Sequence, residues 1–293
     1  MSAKTVDAAL DVVLGYVQTT AAETAQAASH RASIKTVLET SFGMTHFFRT
    51  GSFGNGTNVS GFSDVDYFAV IPTANLKANS NHTLTAVAAA LDQRFPLTGV
   101  EIDGLAIKVP FGPNGSETTE IVPVDETVGT VLGFRSFDMP DGNGGWMFSA
   151  PESHDAYVTL TDDALGNKVK SLIRLVKTWK SIKQVPIKSF YLEMWVTAYA
   201  RGEASIYYRI DLQKIFRQLA DGNLPSIIDP RFPKDGRNLE PTNNFFEHAV
   251  AVNALKEAAD AALVGNIYSD AGKVTQAFEQ WDEIFDDYFP AYG

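Results

Sequence analysis

The 293-residue chain contains no cysteine. That absence excludes a disulfide framework, a thiolate metal site and a thiol nucleophile, and it leaves the redox compartment unread. No apolar run approaches the ~20 residues that a membrane-spanning helix needs; Ala86 to Leu91 is typical of the longest. The first residues, Met1 to Asp7, lack the basic-then-apolar order of a secretion signal. A soluble, cytoplasmic protein with no membrane partner is expected. Histidine is scarce, and His30, His46, His82, His154 and His248 offer no pair at ligand spacing. Positive charge is also in deficit, with 24 Lys+Arg against 35 Asp+Glu and a net charge of −11. So acidic a chain is a poor partner for long duplex nucleic acid, where binding scales with the phosphates neutralised. At 45% hydrophobic and 20% charged residues, the composition excludes a disordered or fibrous chain.

The length fits two packed units better than one, since single cores stop growing at roughly 250–300 residues. Two helices are expected within 5–41, where Ala8, Val12, Leu14 and Val17, then Ile34, Val37 and Leu38, recur at helical spacing. Gly51 to Thr57 reads as an irregular turn, and Asp64 to Ile71 as a strand buried on both faces. A helix follows at 81–94, then strand-like stretches at 100–109 and 118–122. Pro and Gly crowd 140–151, which reads as a crossing between lobes. Helices are expected at 162–184, 188–201, 204–220, 243–263 and 270–287. Strands early and helices late predict an α+β fold, with a sheet-bearing lobe over 1–155 and a helical lobe over 156–293.

Chemistry concentrates in one stretch. Twelve residues after Ser52 comes Asp64-Val65-Asp66, and residues i and i+2 of a strand project from one face. Two such carboxylates repel each other unless something positive lies between them. A pair of divalent cations about 3.5–4 Å apart resolves this and suits in-line displacement at phosphorus. Carboxylates are the ligands that hard ions such as Mg²⁺ prefer. Glycines beside Ser52 would let backbone N–H groups approach phosphate oxygens, with the hydroxyl as a further donor. Acid-x-acid spacing also occurs at Glu101/Asp103, but the strict Asp-x-Asp stands only at 64–66. A second concentration is basic: Lys168, Lys170, Arg174, Lys177, Lys180, Lys183 and Lys188 fall within 21 residues that contain no acid. That segment is either a solvated helix face or an anion site sized for one or two nucleotides.

Residues 51–66, Gly-Ser-Phe-Gly-Asn-Gly-Thr-Asn-Val-Ser-Gly-Phe-Ser-Asp-Val-Asp, resemble the signature of the polymerase-β-type nucleotidyltransferases. More narrowly they resemble the CD-NTases, the bacterial relatives of cyclic GMP–AMP synthase and oligoadenylate synthase. Leu172 to Lys180, Lys188 to Glu193 and Ala277 to Pro290 resemble that family's second-lobe and C-terminal helices, so the resemblance spans about 34–290. It implies a nucleotidyltransferase lobe with a mixed sheet, a helical lobe completing a nucleotide cleft, and two Mg²⁺ ions, with Mn²⁺ as an alternative. Asp64 and Asp66 would be catalytic metal ligands. Glu120, before Val122-Pro123, stands where the family carries its third acid, commonly Asp; Asp125 is the fallback beyond the proline. Gly51 and Ser52 would hold phosphate, Lys177 and Ser189 the donor triphosphate, and Phe190 would stack on a base or fill the core. Asn55 stands where many members have Arg. The implied activity joins nucleoside triphosphates into a cyclic oligonucleotide messenger for anti-phage signalling, read by a downstream effector. Two alternatives stand beside it: a linear-product or single-transfer nucleotidyltransferase, and a non-enzymatic nucleotide sensor.

Overall fold

The structure, a computed structural model, describes residues 3–293. The chain forms two compact units: Thr19–Ala156, and Tyr157–Gly293 together with the stretch ending at Gln18. The first helix, α1 (Val6–Tyr16), therefore lies in the helical unit and not, as the sequence suggests, in the sheet-bearing one. Its buried stripe of Val6, Leu10 and Val13 joins the core built on Leu172, Val176 and Trp179. Periodicity identifies such a stripe but is silent on which core receives it.

In the sheet unit, α2 (Ala21–Phe42) starts at a reciprocal cap. The Thr20 hydroxyl accepts from the Glu23 amide at 3.1 Å, and the Glu23 carboxylate accepts from the Thr20 amide at 2.6 Å. There follow β1 (His46–Arg49), the single-turn α3 (Gly51–Asn55), β2 (Val65–Val70), α4 (Ser80–Arg94), β3 (Glu101–Asp103) and β4 (Ala106–Phe111). The unit continues with β5 (Glu117–Val131), β6 (Phe134–Pro140), β7 (Trp146–Ser149) and the start of α5 (Pro151–Ala164). The strands form one mixed sheet in the order β1-β2-β5-β4-β3, with β6 on β5 and β7 on β6. The β2–β5 pair is parallel, and the other neighbours are antiparallel. Alternation along β2 sends Tyr67 and Ala69 to the core under Ile34, Leu38, Leu84 and Val87, and sends Phe68 and Val70 to a smaller cluster with Val124 and Phe137. Both faces are covered, which accounts for the continuous apolar run.

Three local expectations are corrected. Residues 51–55 are helical, because the Gly54 amide donates to the Thr50 carbonyl at 3.0 Å and left-handed Gly56 stops the turn. The strand expected over 118–122 runs on through Pro123 to Val131. Proline is tolerated there because its nitrogen faces the edge where pairing with β4 stops at Ile121 and pairing with β6 starts at Asp125. The stretch 140–151 is a hairpin: the Asp141 carboxylate accepts from the amides of Asn143 (2.7 Å) and Gly145 (2.9 Å), turning β6 into β7. The border between the units falls between Ala156 and Tyr157, inside α5 and one residue from the expected division at 155/156, with the hairpin wholly in the sheet unit.

The helical unit holds the rest of α5, α6 (Val169–Ile182), α7 (Ser189–Ala200), α8 (Tyr208–Asp221), the short β8 (Ile227–Ile228) and β9 (Asn238–Leu239), α9 (Phe245–Asp270) and α10 (Val274–Phe285). The helix expected over 162–184 is two helices, broken where Gly166 and Asn167 take φ of 69° and 60°. At Gly265 of α9, an added Cβ would meet the Trp281 ring of α10 at 2.8 Å, so this glycine lets the two helices close. No helix among the described residues is long and apolar enough to cross a membrane.

Candidate active site

The parallel pairing of β2 with β5 sets Asp66 opposite Glu120, and Lys108 of β4 stands opposite Glu120 on its other side. Asp64 precedes β2 by one residue and shares the face of Asp66 by alternation. Strand pairing thus sets Asp66, Glu120, Lys108 and Glu101 in one row across the sheet, with Asp64 beside them by alternation. Burial, then the Glu120 charge, holds the Asp64 carboxyl above its ordinary value of 3.8; Asp103 adds to this, Lys108 opposes it, and Glu120 hydrogen-bonds to it. The Lys108 ammonium lies 2.5 Å from Asp103 Oδ2 and 3.4 Å from Glu120 Oε1, and the Asp103 hydrogen bond leads the causes that hold it protonated well above the usual range.

Gly51 closes the arrangement. It takes φ of 56°, and a Cβ there would fall 2.1 Å from Asp66 Oδ2. The glycine therefore leaves the space that the Asp66 carboxylate fills, while the Thr50 amide donates to the Asp66 carbonyl at 3.0 Å and ties the start of α3 to β2. Ser52 follows within that turn. A set of carboxylates, mutually repelling and cradled by a side-chain-free position, suits a hard divalent cation. As they stand, no three acid or imidazole side chains among the described residues close around one point. Asp125 lies elsewhere: five residues along from Glu120 it takes the opposite face, accepts from the Thr73 hydroxyl at 3.0 Å, and lines a separate cavity of about 370 Å³ with Asp138 and Trp146. A cavity of about 160 Å³ reaches Asp64 from the side of α2, lined by Glu23, His30, Phe53 and Phe62 among others.

The other predicted residues lie in the helical unit. Lys177 is only 4% exposed, and its ammonium is 3.6 Å from Glu193 Oε2. Ser189 opens α7, and there Lys180 donates to its hydroxyl at 2.9 Å. Burial, then the Lys177 charge, lowers the Lys180 amine below its usual value. Phe190 is 43% exposed, which removes the reading of it as a core aromatic. The sequence reading thus singles out Lys177 and Ser189, while the structure inserts Lys180 beside the serine. Lys108 is not among the residues that the sequence reading selects, and Asp103 enters it only as an acid-x-acid pair with Glu101, without a role. The available signal was a lysine between Ile107 and Val109, both fully buried.

No protein-family model matches the chain. A curated relative, "Probable cyclic nucleotide synthase" of Bacillus cereus (strain VD146), is 26% identical over 176 residues, 59% of this chain and 52% of that protein. The chain thus matches about half the length of that relative. Among solved structures, CdnC of E. coli MS115-1 with ATP superposes with a TM-score of 0.75 at 18% identity, covering 97% of this chain and 98% of that one. The CD-NTase CdnG of Bradyrhizobium diazoefficiens with GTP gives 0.72 at 13% identity, covering 96% and 95%. The Vibrio cholerae cyclic AMP-GMP synthase DncV, with the linear intermediate 5′-pppA(3′,5′)pG, gives 0.68 at 14% identity, covering 84% and 71%. These likenesses establish the fold.

Proposed function

We propose that this chain, which has the CD-NTase fold, is a metal-dependent nucleotidyltransferase that joins nucleoside triphosphates into a cyclic oligonucleotide and releases pyrophosphate. The observation that carries the reading is the pairing of Asp66 with Glu120 across two parallel strands, with Asp64 at the strand mouth and Gly51 open to the Asp66 carboxylate. Asp64, Asp66 and Glu120 would hold two Mg²⁺ ions, or Mn²⁺ in their place. Bound there, the ions would polarise the reacting phosphoryl group and acidify an attacking ribose hydroxyl. The β-ladder fixes the Asp66 backbone, and Gly51 leaves room for its carboxylate at the start of α3. Asp64, raised by burial and by the charges of Glu120 and Asp103, is relieved of that repulsion when positive charge arrives. The Ser52 hydroxyl would donate to a phosphate oxygen.

In the helical unit, the Lys180–Ser189 pair offers an ammonium and a hydroxyl to a triphosphate, and exposed Phe190 offers a ring face to a base. Lys177, predicted for the triphosphate, would add a second positive charge for that anion, and its repulsion of the Lys180 ammonium would be relieved when the triphosphate arrives. The product would act as an anti-phage second messenger read by an effector, a role supported by the resemblance of residues 51–66. The test is incubation with the four labelled nucleoside triphosphates and Mg²⁺ or Mn²⁺, phosphatase digestion and mass spectrometry. A phosphatase-resistant cyclic product is expected. Linear chains would favour the linear-product reading, and no product, with nucleotide bound, the sensor.

A further inference from the structure

Among the charged groups on the acid-bearing face that the proposed reaction does not use, Glu101, Asp103 and Lys108, the lysine alone is positive. Lys108 stands across from Glu120 on β4, and an ammonium on so apolar a strand calls for partners. It has two. Its Nζ is 3.4 Å from Glu120 Oε1, within the acid cluster, and 2.5 Å from Asp103 Oδ2. Asp103 ends β3 at the edge of the sheet, where its side chain is 60% exposed, against 23% for Glu120. The ammonium therefore sits between an inner and an outer carboxylate, already nearer the outer one.

We infer that Lys108 is the resident counter-cation of the acid cluster: it holds Glu120 while the cluster lacks a metal, and withdraws onto Asp103 when Glu120 turns to ligate one. The inference rests on the metal role proposed for Asp64, Asp66 and Glu120. Like-charged side chains on one sheet face destabilise it, and a tethered ammonium relieves that repulsion without an ion from solution. The same ammonium competes with a cation for Glu120, because it draws on the Oε1 lone pairs and sets its own positive charge beside the place a metal would take. Asp103 makes the exchange small, since Lys108 keeps a partner throughout. Lys108 is thus a positioning residue that sets how tightly the cluster holds its cation.

The experiment is Mn²⁺ titration of the full-length protein without nucleotide, followed by electron paramagnetic resonance, with melting curves in chelator and in saturating Mn²⁺. Lys108→Met should bind Mn²⁺ about three- to tenfold more tightly than wild type, the size of a partly exposed ion pair. Asp103→Asn should bind it more weakly by about two- to fivefold, since the ammonium then leans on Glu120 alone. Lys108→Arg should stay near wild type. Lys108→Met should also melt below wild type in chelator, with the gap narrowing in Mn²⁺; a plain structural ion pair would leave the same gap in both. Wild-type or weaker Mn²⁺ affinity in Lys108→Met overturns the inference. If that variant does not fold, unchanged affinity in Asp103→Asn overturns it instead. Should folded wild type take up no Mn²⁺, the metal reading fails and this inference with it. Should wild type take up Mn²⁺, Asp64→Asn weaken it and Lys108→Met change nothing, this inference alone fails.

Discussion

In the sheet unit the candidate residues are acids on neighbouring strands; in the helical unit they are long bases around two helix turns. The acids are placed by backbone. Once β2 pairs with β5, Asp66 faces Glu120 whatever the rotamers do. The bases are placed by reach. Lys177 and Lys180 are three residues apart on α6, yet one ends beside Glu193 and the other on the Ser189 hydroxyl. Position in the sequence therefore specifies the first group closely, whereas the second depends on where four-carbon stems find partners.

The comparison breaks or sharpens under substitution, most strongly at the acids. Asp64→Asn with Asp66→Asn should abolish turnover while circular dichroism shows the fold retained; near wild-type product formation would remove the acids from the chemistry. Asp64→Asn should also raise the melting temperature in chelator at neutral pH. The Asp64 carboxyl is held above 3.8 in the folded chain. Its protonated form is favoured there, and stability falls as pH rises from about 3.8 through that raised value. The gain from the substitution should vanish at pH 3 and below.

Next comes Glu120→Gln, expected to lower the rate at least ~10²-fold, against little change for Asp125→Asn on the opposite face. Gly51→Ala should also cost on the order of 10²-fold in rate, by forcing the Asp66 carboxylate from its position, and a crystal structure of the variant would show the shift. In the helical unit the first expected effect is on stability. Lys177→Ala removes the ammonium from a buried ion pair with Glu193 and should destabilise by about 3–5 kcal/mol in urea titration. The smallest effect belongs to Lys180→Ala, expected to raise the apparent KM for nucleoside triphosphate by about tenfold with stability nearly intact. Equal KM effects from Lys180→Ala and Lys183→Ala, whose own partner is Asp286, would return the basic segment to a solvated face.

Much of this was legible in the sequence. The i, i+2 acids, the doubly buried strand and the late helices follow from spacing and alternation, which the backbone obeys locally. What stayed hidden is pairing. Nothing in Val6–Tyr16 says that Leu10 packs against residues more than 150 positions away. Turn residues at Asp141–Gly145 signal a reversal but not whether a strand or a new lobe follows. Pro123 reads as a strand end because the sequence does not reveal that both flanking partners leave its nitrogen unopposed. Lys108 reads as an exposed strand residue until pairing brings Glu120 and Asp103 to it.

The position of α1 has a consequence for the order in which the molecule is made. Its apolar stripe is synthesised well before its partners in α6 and α8, and longer still before those in α10, such as Trp281 and Phe285. The sheet unit, whose residues are contiguous from Thr19 to Ala156, has all its contacts available midway through synthesis, and domains complete in this way fold as units during translation. A chain stopped at Gly272 lacks only the α10 part of that cover, so Val6–Tyr16 should be cut more readily than the sheet. Until α6 and the helices after it have been made, the stripe of α1 is a hydrophobic surface waiting for its cover, and that interval is when a chaperone would find this chain.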